Sequence, residues 1–445
     1  MVKEVVVESS WKENIFGLLT CLSFVALVLF SRSQYAHDLG MFYLLMGVAY
    51  LLVFGFFAYL WKYNKDVSVT FVFAWAAMFH LLGVFGAPLF EDDYYRYVWD
   101  AYHTVQFGSP YGVAPSDYFD ENGLGGNVSE AFRSILNGIN YPDIPTIYGP
   151  TLQYSFLLAY FIAPGEVWAL QLVYSVVDLL LIWMLFKFAS PRLVMLYAWS
   201  PLVFKEVLLT AHPDGLGVSL LILAVLCFYR KSFYLMAIAL AASLAAKIFA
   251  ILFVPFLLFK TNVRVITLFS LSVLLLYLPL LGESAGDLLG LNAMAQNWQF
   301  NAALYGVLTH FFSADISKLI LALVLVVGFS WYFLRFHFGQ NPLSKSGYIR
   351  GDLVMGGFLL CAPVINPWYL IWVLPFAVIH KNISVWVASV MVMLAYLVGL
   401  NIEGSELAAY QQPLWARVVE FGVILACVLT EAFLRRRGTS VAEEV

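Results

Sequence analysis

The sequence predicts an all-α membrane protein: a polytopic bundle of about 12–14 transmembrane helices with a long outer loop carrying short interfacial helices. Three observations lead there. Of the 445 residues, 62% are hydrophobic and only 12% charged, about half the ~25% charge of a soluble domain. Apolar runs approaching the ~20 residues that cross a bilayer core recur along the whole chain, among them 15–30, 41–60 and 319–334. Lys and Arg gather between alternate apolar segments, as a single orientation requires.

Taken in order, the apolar pattern places helices at 15–32, 41–61, 67–88, 165–187, 193–210, 213–229, 232–246, 248–259, 263–281, 314–336, 353–365, 368–380, 384–400 and 415–434. The first run lacks a small-residue cleavage site after it and reads as a retained helix. The triple arginine at 435–437 places the C-terminus in the cytoplasm by the positive-inside rule, and the even number of spans puts the N-terminus there too. A leftover apolar stretch, 151–164, is short for a span and reads as re-entrant or interfacial. Cys21, Cys227, Cys361 and Cys427 all fall inside apolar runs and read as small buried hydrophobes, with no metal-ligand spacing.

This layout divides the chain into N-terminal spans (1–88), a first large outer loop (89–164) and a helical bundle with further outer turns (165–445). No P-loop, dinucleotide-binding glycine fingerprint or nucleophile elbow is present, and no basic tract suggests nucleic acid. Chemistry, if the chain performs any, belongs to the outer membrane surface.

The loop opens on "LFEDDYYRYVWDAY", three carboxylates directly after an apolar run. Read as a helix, it aligns Asp93, Arg96, Tyr97 and Asp100 on one face. An Asp three residues before an Arg suits a general base held ionised by its neighbour; Glu91, Asp92 and Asp93 could equally be a helix start favoured by the macrodipole. Lys205 and Glu206 lie within an apolar helix, where charge marks function by default, although the two could simply neutralise one another. His212 and Asp214 follow in the turn, where His212 could serve only as a cap. Lys247 interrupts two apolar segments with no acidic neighbour in sequence, so its partner is another part of the fold or a ligand such as phosphate, unless it snorkels. Trp298 and Asn301 in "NWQFN", and Trp368 in "NPWYLIW", combine aromatic faces and amides, which suit a sugar or an interfacial belt.

These segments, with "SPYGVAP", "INYPDIPTIYGPTLQ" and "AAKIFAILFVPFLLF", resemble in order the motifs of GT-C superfamily glycosyltransferases. The similarity, over about residues 88–380, is to bacterial polyprenyl-phosphate-mannose-dependent mannosyltransferases of the family 87 type. Two departures, "YGP" for a commoner "YPP" and "WDAY" for "WDG", bear on the path of the loop. The resemblance implies a GT-C-like fold in a bacterial inner membrane. It also implies transfer of a hexose, mannose by similarity, from a polyprenyl-phosphate donor to a glycan, lipid or protein acceptor on the periplasmic face, with inversion. Asp93 would be the base, with Asp92 next to it and Arg96 supporting. Lys205, His212 and Lys247 would face the donor phosphate; Glu91, Tyr148, Gln153, Asp214, Trp298, Asn301 and Trp368 would border sugar and acceptor. No cofactor or metal is expected, since a neutralised phosphate leaves unaided. A transporter or flippase of lipid-linked sugars is the alternative, but the halves show no self-similarity.

Overall fold

The computed structural model describes residues 11–120, 122–281, 286–339 and 347–436. Lys345 and Arg437 of the expected basic clusters, and 282–285 of an outer loop, lie outside these. The described chain is all-helical, 72% helix without strands. The helices are α1 (Trp11–Ser31), α2 (Leu39–Lys62), α3 (Val69–Gly83), α4 (Asp93–Phe107), α5 (Glu130–Asn137), α6 (Pro150–Ile162), α7 (Val167–Leu185), α8 (Pro191–Leu209), α9 (Asp214–Tyr229) and α10 (Phe233–Ala246). Beyond them come α11 (Ile248–Leu258), α12 (Val263–Tyr277), α13 (Leu288–Asn297), α14 (Leu304–Leu308), α15 (Ala314–Phe338), α16 (Gly351–Cys361), α17 (Pro367–His380), α18 (Ile383–Tyr396) and α19 (Leu414–Arg436).

Several starts follow from the residue before the apolar run. Asp38, Ser68 and Asn262 each accept a hydrogen bond from the backbone N–H three residues on, at 3.0, 3.0 and 3.1 Å, the N-cap geometry that satisfies an orphan donor. Helices stand near every expected position. Their lengths differ: α1, α2, α7 and α15 are long and apolar enough to cross a membrane alone, and α8 with α9 passes the same test as a bent pair. The other apolar segments run 10–17 residues, because tight turns and prolines such as Pro255 and Pro367 interrupt them. Along α15, Leu323, Val326, Val327 and Trp331 are all more than half exposed. Such an apolar wall suits lipid, and with the helices long and apolar enough to cross a bilayer it marks a membrane protein.

Two compact units emerge, each drawn from separate stretches of chain. One holds the chain to Gly86, Leu179–Glu206 and Gln299 onward. Its interior is aromatic: Phe24 stacks on Phe204 with ring centres 4.0 Å apart, and Phe56 stacks on Trp199 at 5.3 Å. The other unit holds Ala87–Asp178 and Val207–Trp298. Within it α4 packs on α5 and α6, α9 on α10, and α10 on both α12 and α6. Tyr102 stacks on Phe132 at 4.0 Å, which fastens the amphipathic α5 to α4.

The approach of the loop to α10 explains the glycine of "YGP". A Cβ on Gly149 would stand 2.2 Å from the carbonyl oxygen of Ala245, backbone that cannot step aside. Only glycine lets the loop enter α6 there. Gly149→Ala is therefore expected to destabilise the protein by about 1–3 kcal/mol, read as a lower thermal midpoint in detergent, whereas alanine at Gly356, where a Cβ meets nothing, leaves the midpoint unchanged.

Candidate active site

The first turn of α4 brings together most of the polar groups singled out in the outer loop. Asp92 precedes the helix and Asp93 begins it, where the helix dipole favours negative charge. The side-chain amide of Asn140 donates to both, at 2.5 Å to Asp92 Oδ1 and 3.1 Å to Asp93 Oδ1. The Tyr148 hydroxyl donates to Asp93 Oδ2 at 3.3 Å. Asp93 remains partly accessible. Burial, and next the charge of Asp93, push the Asp92 carboxyl up to about 6 against the pull of Asn140. Burial likewise raises Asp93, while Asn140, the Lys247 charge, Tyr148 and Arg96 draw it back.

Arg96 does not grip Asp93. Its guanidinium donates to the carbonyl oxygens of Ile144 at 2.9 Å and Tyr141 at 3.2 Å. Burial outweighs its charge, so the expectation that Arg96 holds Asp93 ionised is corrected: it fastens the returning loop to α4. One turn further along the same face, Asp100 accepts from Thr146 and, at 2.8 Å, from Gln153; burial first of all lifts its carboxyl to about 6. Gln153 is fully enclosed and braces the loop instead of bordering an acceptor path. His103 adds a second brace, bonding the Ser109 carbonyl and the Tyr118 hydroxyl, each at 2.6 Å.

Lys247 finds its partner in the fold. Its ammonium bonds both oxygens of Asp214, at 2.7 and 2.9 Å, and is 15% exposed while Asp214 is buried. Asp214 thus positions a cation and is not open to sugar. In the turn before it, His212 is buried with Nδ1 3.1 Å from the Tyr97 hydroxyl. Gln171 secures this turn by donating to the Leu209 carbonyl at 2.7 Å. Trp298 meets Tyr141 edge to face at 4.5 Å.

The remaining candidates belong to the other compact unit. Lys205 and Glu206 are fully buried. Lys205 donates to Glu206 at 3.1 Å and to the Tyr396 hydroxyl, which donates to Glu206 at 2.7 Å. A sealed, mutually neutral triad offers nothing to a phosphate, which corrects the phosphate role expected of Lys205. Asn301 is buried and donates to Glu420 at 2.9 Å, and Trp368 is buried as well; neither presents a surface to a sugar.

Strain marks the same place. Phe90, Tyr141 and Ala211 have φ of +58°, +46° and +59°, left-handed conformations unfavourable outside glycine. They flank the carboxylates, Asn140 and His212, where such strain commonly sits. Asn140 was missed in the sequence because an uncharged amide in a turn-rich stretch carries no signature; the clue was the need of two adjacent carboxylates for a donor. Carboxylate oxygens of Glu91, Asp92 and Asp93 lie within 4.8 Å of one another. Three acidic residues at a helix start do not by themselves identify a cation site, and Asn140 already engages two of them.

No curated protein matches the chain at a significant level. The family model for alpha-(1->6)-mannopyranosyltransferases, N-terminal domain (the MptA_B family), matches residues 15–263, more than half of the chain and including α4, the outer loop, His212, Asp214 and Lys247. A carboxylate pair beside an anchored lysine at the surface of a membrane protein is a setting in which a sugar can be transferred, and the chain belongs to the alpha-(1->6)-mannopyranosyltransferase family.

Proposed function

We propose that this glycosyltransferase moves mannose from a polyprenyl-phosphate donor to a hydroxyl of an outer-face acceptor, in a single displacement with inversion. The acceptor fitting the family's linkage is the primary hydroxyl of a mannose residue. The observation that carries the reading is the partly accessible Asp93, held by Asn140 and Tyr148 and within the field of a lysine fixed by Asp214.

Asp93 takes the proton of the acceptor hydroxyl as that oxygen attacks C1, and the bond from C1 to the phosphate oxygen breaks with its electrons passing to the phosphate. General-base assistance is worth about 10²–10⁴-fold. Lys247, with three N–H donors, stabilises charge where it develops on the leaving group, commonly the larger contribution, whereas His212, wholly buried, bears on the site only through Tyr97 and not on the phosphate expected of it. An ammonium beside a phosphate does this without a metal, and the polyprenyl chain lies in the bilayer. The active face is periplasmic, both termini are cytoplasmic, and the membrane is the bacterial inner membrane.

In purified protein supplied with polyprenyl-phosphate mannose and an oligomannoside, Asp93→Asn is expected to lower kcat by about 10²–10⁴-fold with donor binding retained, and EDTA to leave wild-type turnover unchanged. Full activity in Asp93→Asn, or loss with EDTA restored by a divalent cation, would contradict the reading. A base must be ionised, so raised carboxyl pKa values move the acidic limb of the kcat/KM profile up from the ordinary carboxylate value of about 3.9. Asn140 lowers both carboxyl pKa values, so Asn140→Ala shifts that limb to still higher pH. An unshifted limb in the variant would separate Asn140 from the base.

A further inference from the structure

Asp93 has two sides. Its Oδ2 accepts from Tyr148, and beyond Tyr148 come Tyr97, edge-on at 5.1 Å, then His212 and the turn that carries Asp214 with its partner Lys247. That is the side of the cation, and so of the departing phosphate. Its Oδ1 accepts from Asn140. The next residue in the chain is Tyr141, whose ring meets Trp298 with centres 4.5 Å apart and planes at 80°. Both rings are part-exposed, and both belong to the compact unit that holds the carboxylates. The backbone sets them in place. Tyr141 holds a φ of +46°, unfavourable for a bulky residue, and Arg96 pins its carbonyl at 3.2 Å. Trp298 leaves α13 with an extended backbone, and α13 lies hard against the same loop: a Cβ on Gly290 would stand 2.5 Å from the Pro145 carbonyl oxygen. An interfacial belt needs only aromatics at headgroup level, for which such fixing is superfluous.

We propose that Tyr141 and Trp298 form an acceptor subsite, stacking the sugar that adjoins the one whose hydroxyl reacts at Asp93; the inference rests on the transferase reading above. A hexose gathers C–H groups on one face of its ring, and their partial positive charge is drawn to the negative face of an aromatic ring. Its hydroxyls seek acceptors such as the part-exposed carboxylates of Asp92 and Asp93. The carboxylates take the reacting sugar, so the rings next along, past Asn140, meet its neighbour in the glycan. An edge-to-face pair suits this, because one ring spends only its edge on the contact. The other part-exposed pair beside the carboxylates, Tyr94 and Tyr95, uses its faces internally. Those two rings stack at 4.2 Å, and Tyr95 lies 2.8 Å from where a Cβ on Gly138 would stand. Tyr141 and Trp298 take no part in making or breaking bonds. They select an acceptor of two or more linked mannose residues over a single one.

The test measures transfer from polyprenyl-phosphate mannose to methyl α-mannoside and to α-(1→6)-linked mannobiose, in wild type, Trp298→Ala and Trp298→Phe, with thermal midpoints to check folding. Wild type is expected to show the higher kcat/KM on the disaccharide. The gain lies in KM, since binding shared by ground and transition states leaves kcat alone. Trp298→Ala is expected to lower kcat/KM for the disaccharide about tenfold more than for the single mannoside, the worth of one ring contact. Trp298→Phe keeps an aromatic face and retains most of the preference. A residue that merely props the loop would depress both acceptors alike, so an unaltered preference in Trp298→Ala overturns the subsite. A wild type that uses both acceptors equally well also overturns it, needs no variant to fold, and leaves the transferase reading in place. A wild type that transfers to no mannoside of any length removes that reading and the subsite together.

Discussion

The ion pair between Lys247 and Asp214 is the constraint on which the rest of this site depends. Both residues sit at helix boundaries: Asp214 opens α9, and Lys247, with an extended backbone, closes α10. Asp214 is buried, and a buried carboxylate without its cation would destabilise the fold strongly. The pair therefore fixes where both helices meet the outer loop. A second tie joins the same helices, the Ser243 hydroxyl donating to the Gly217 carbonyl at 2.7 Å. The lysine's charge also falls on Asp93, so one interaction couples the position of the helices to the ionisation of the carboxylate.

Around that anchor the outer loop is held by polar side chains more than by regular structure. Arg96 collects two loop carbonyls, Asp100 gathers Thr146 and Gln153, and His103 secures Ser109 and Tyr118. These groups all lie on α4, which makes that helix the frame on which the loop is folded. The left-handed residues Phe90, Tyr141 and Ala211 show that the backbone is bent to deliver the site. Burial raises the carboxylates of α4 above their ordinary values while hydrogen bonds and nearby cations pull the other way, the balance that suits a base.

Most of the fold was readable in the sequence because apolar runs and caps are local. The face of Asp93, Arg96, Tyr97 and Asp100 was readable for the same reason, as helical spacing is arithmetic. Partners distant in sequence were not. Lys247 had no acidic neighbour in the chain, and Asp214 stands 33 residues earlier. Lys205 and Glu206 shared the charge signature of a membrane site, but burial and Tyr396 turned them into a closed structural triad. Asn140 and Gln153 show the same limit: an amide's role is set by what surrounds it, which only the fold supplies.

In a single displacement Asp93 acts as base, not nucleophile. The direct measurement is the configuration of the new linkage, read by NMR after turnover of a donor synthesised with β-linked mannose on the polyprenyl phosphate. A single displacement gives an α-linked product, matching the family's alpha-(1->6) linkage. A β-linked product would mean two successive displacements through a glycosyl-enzyme intermediate, with Asp93 or a neighbour as nucleophile instead of base.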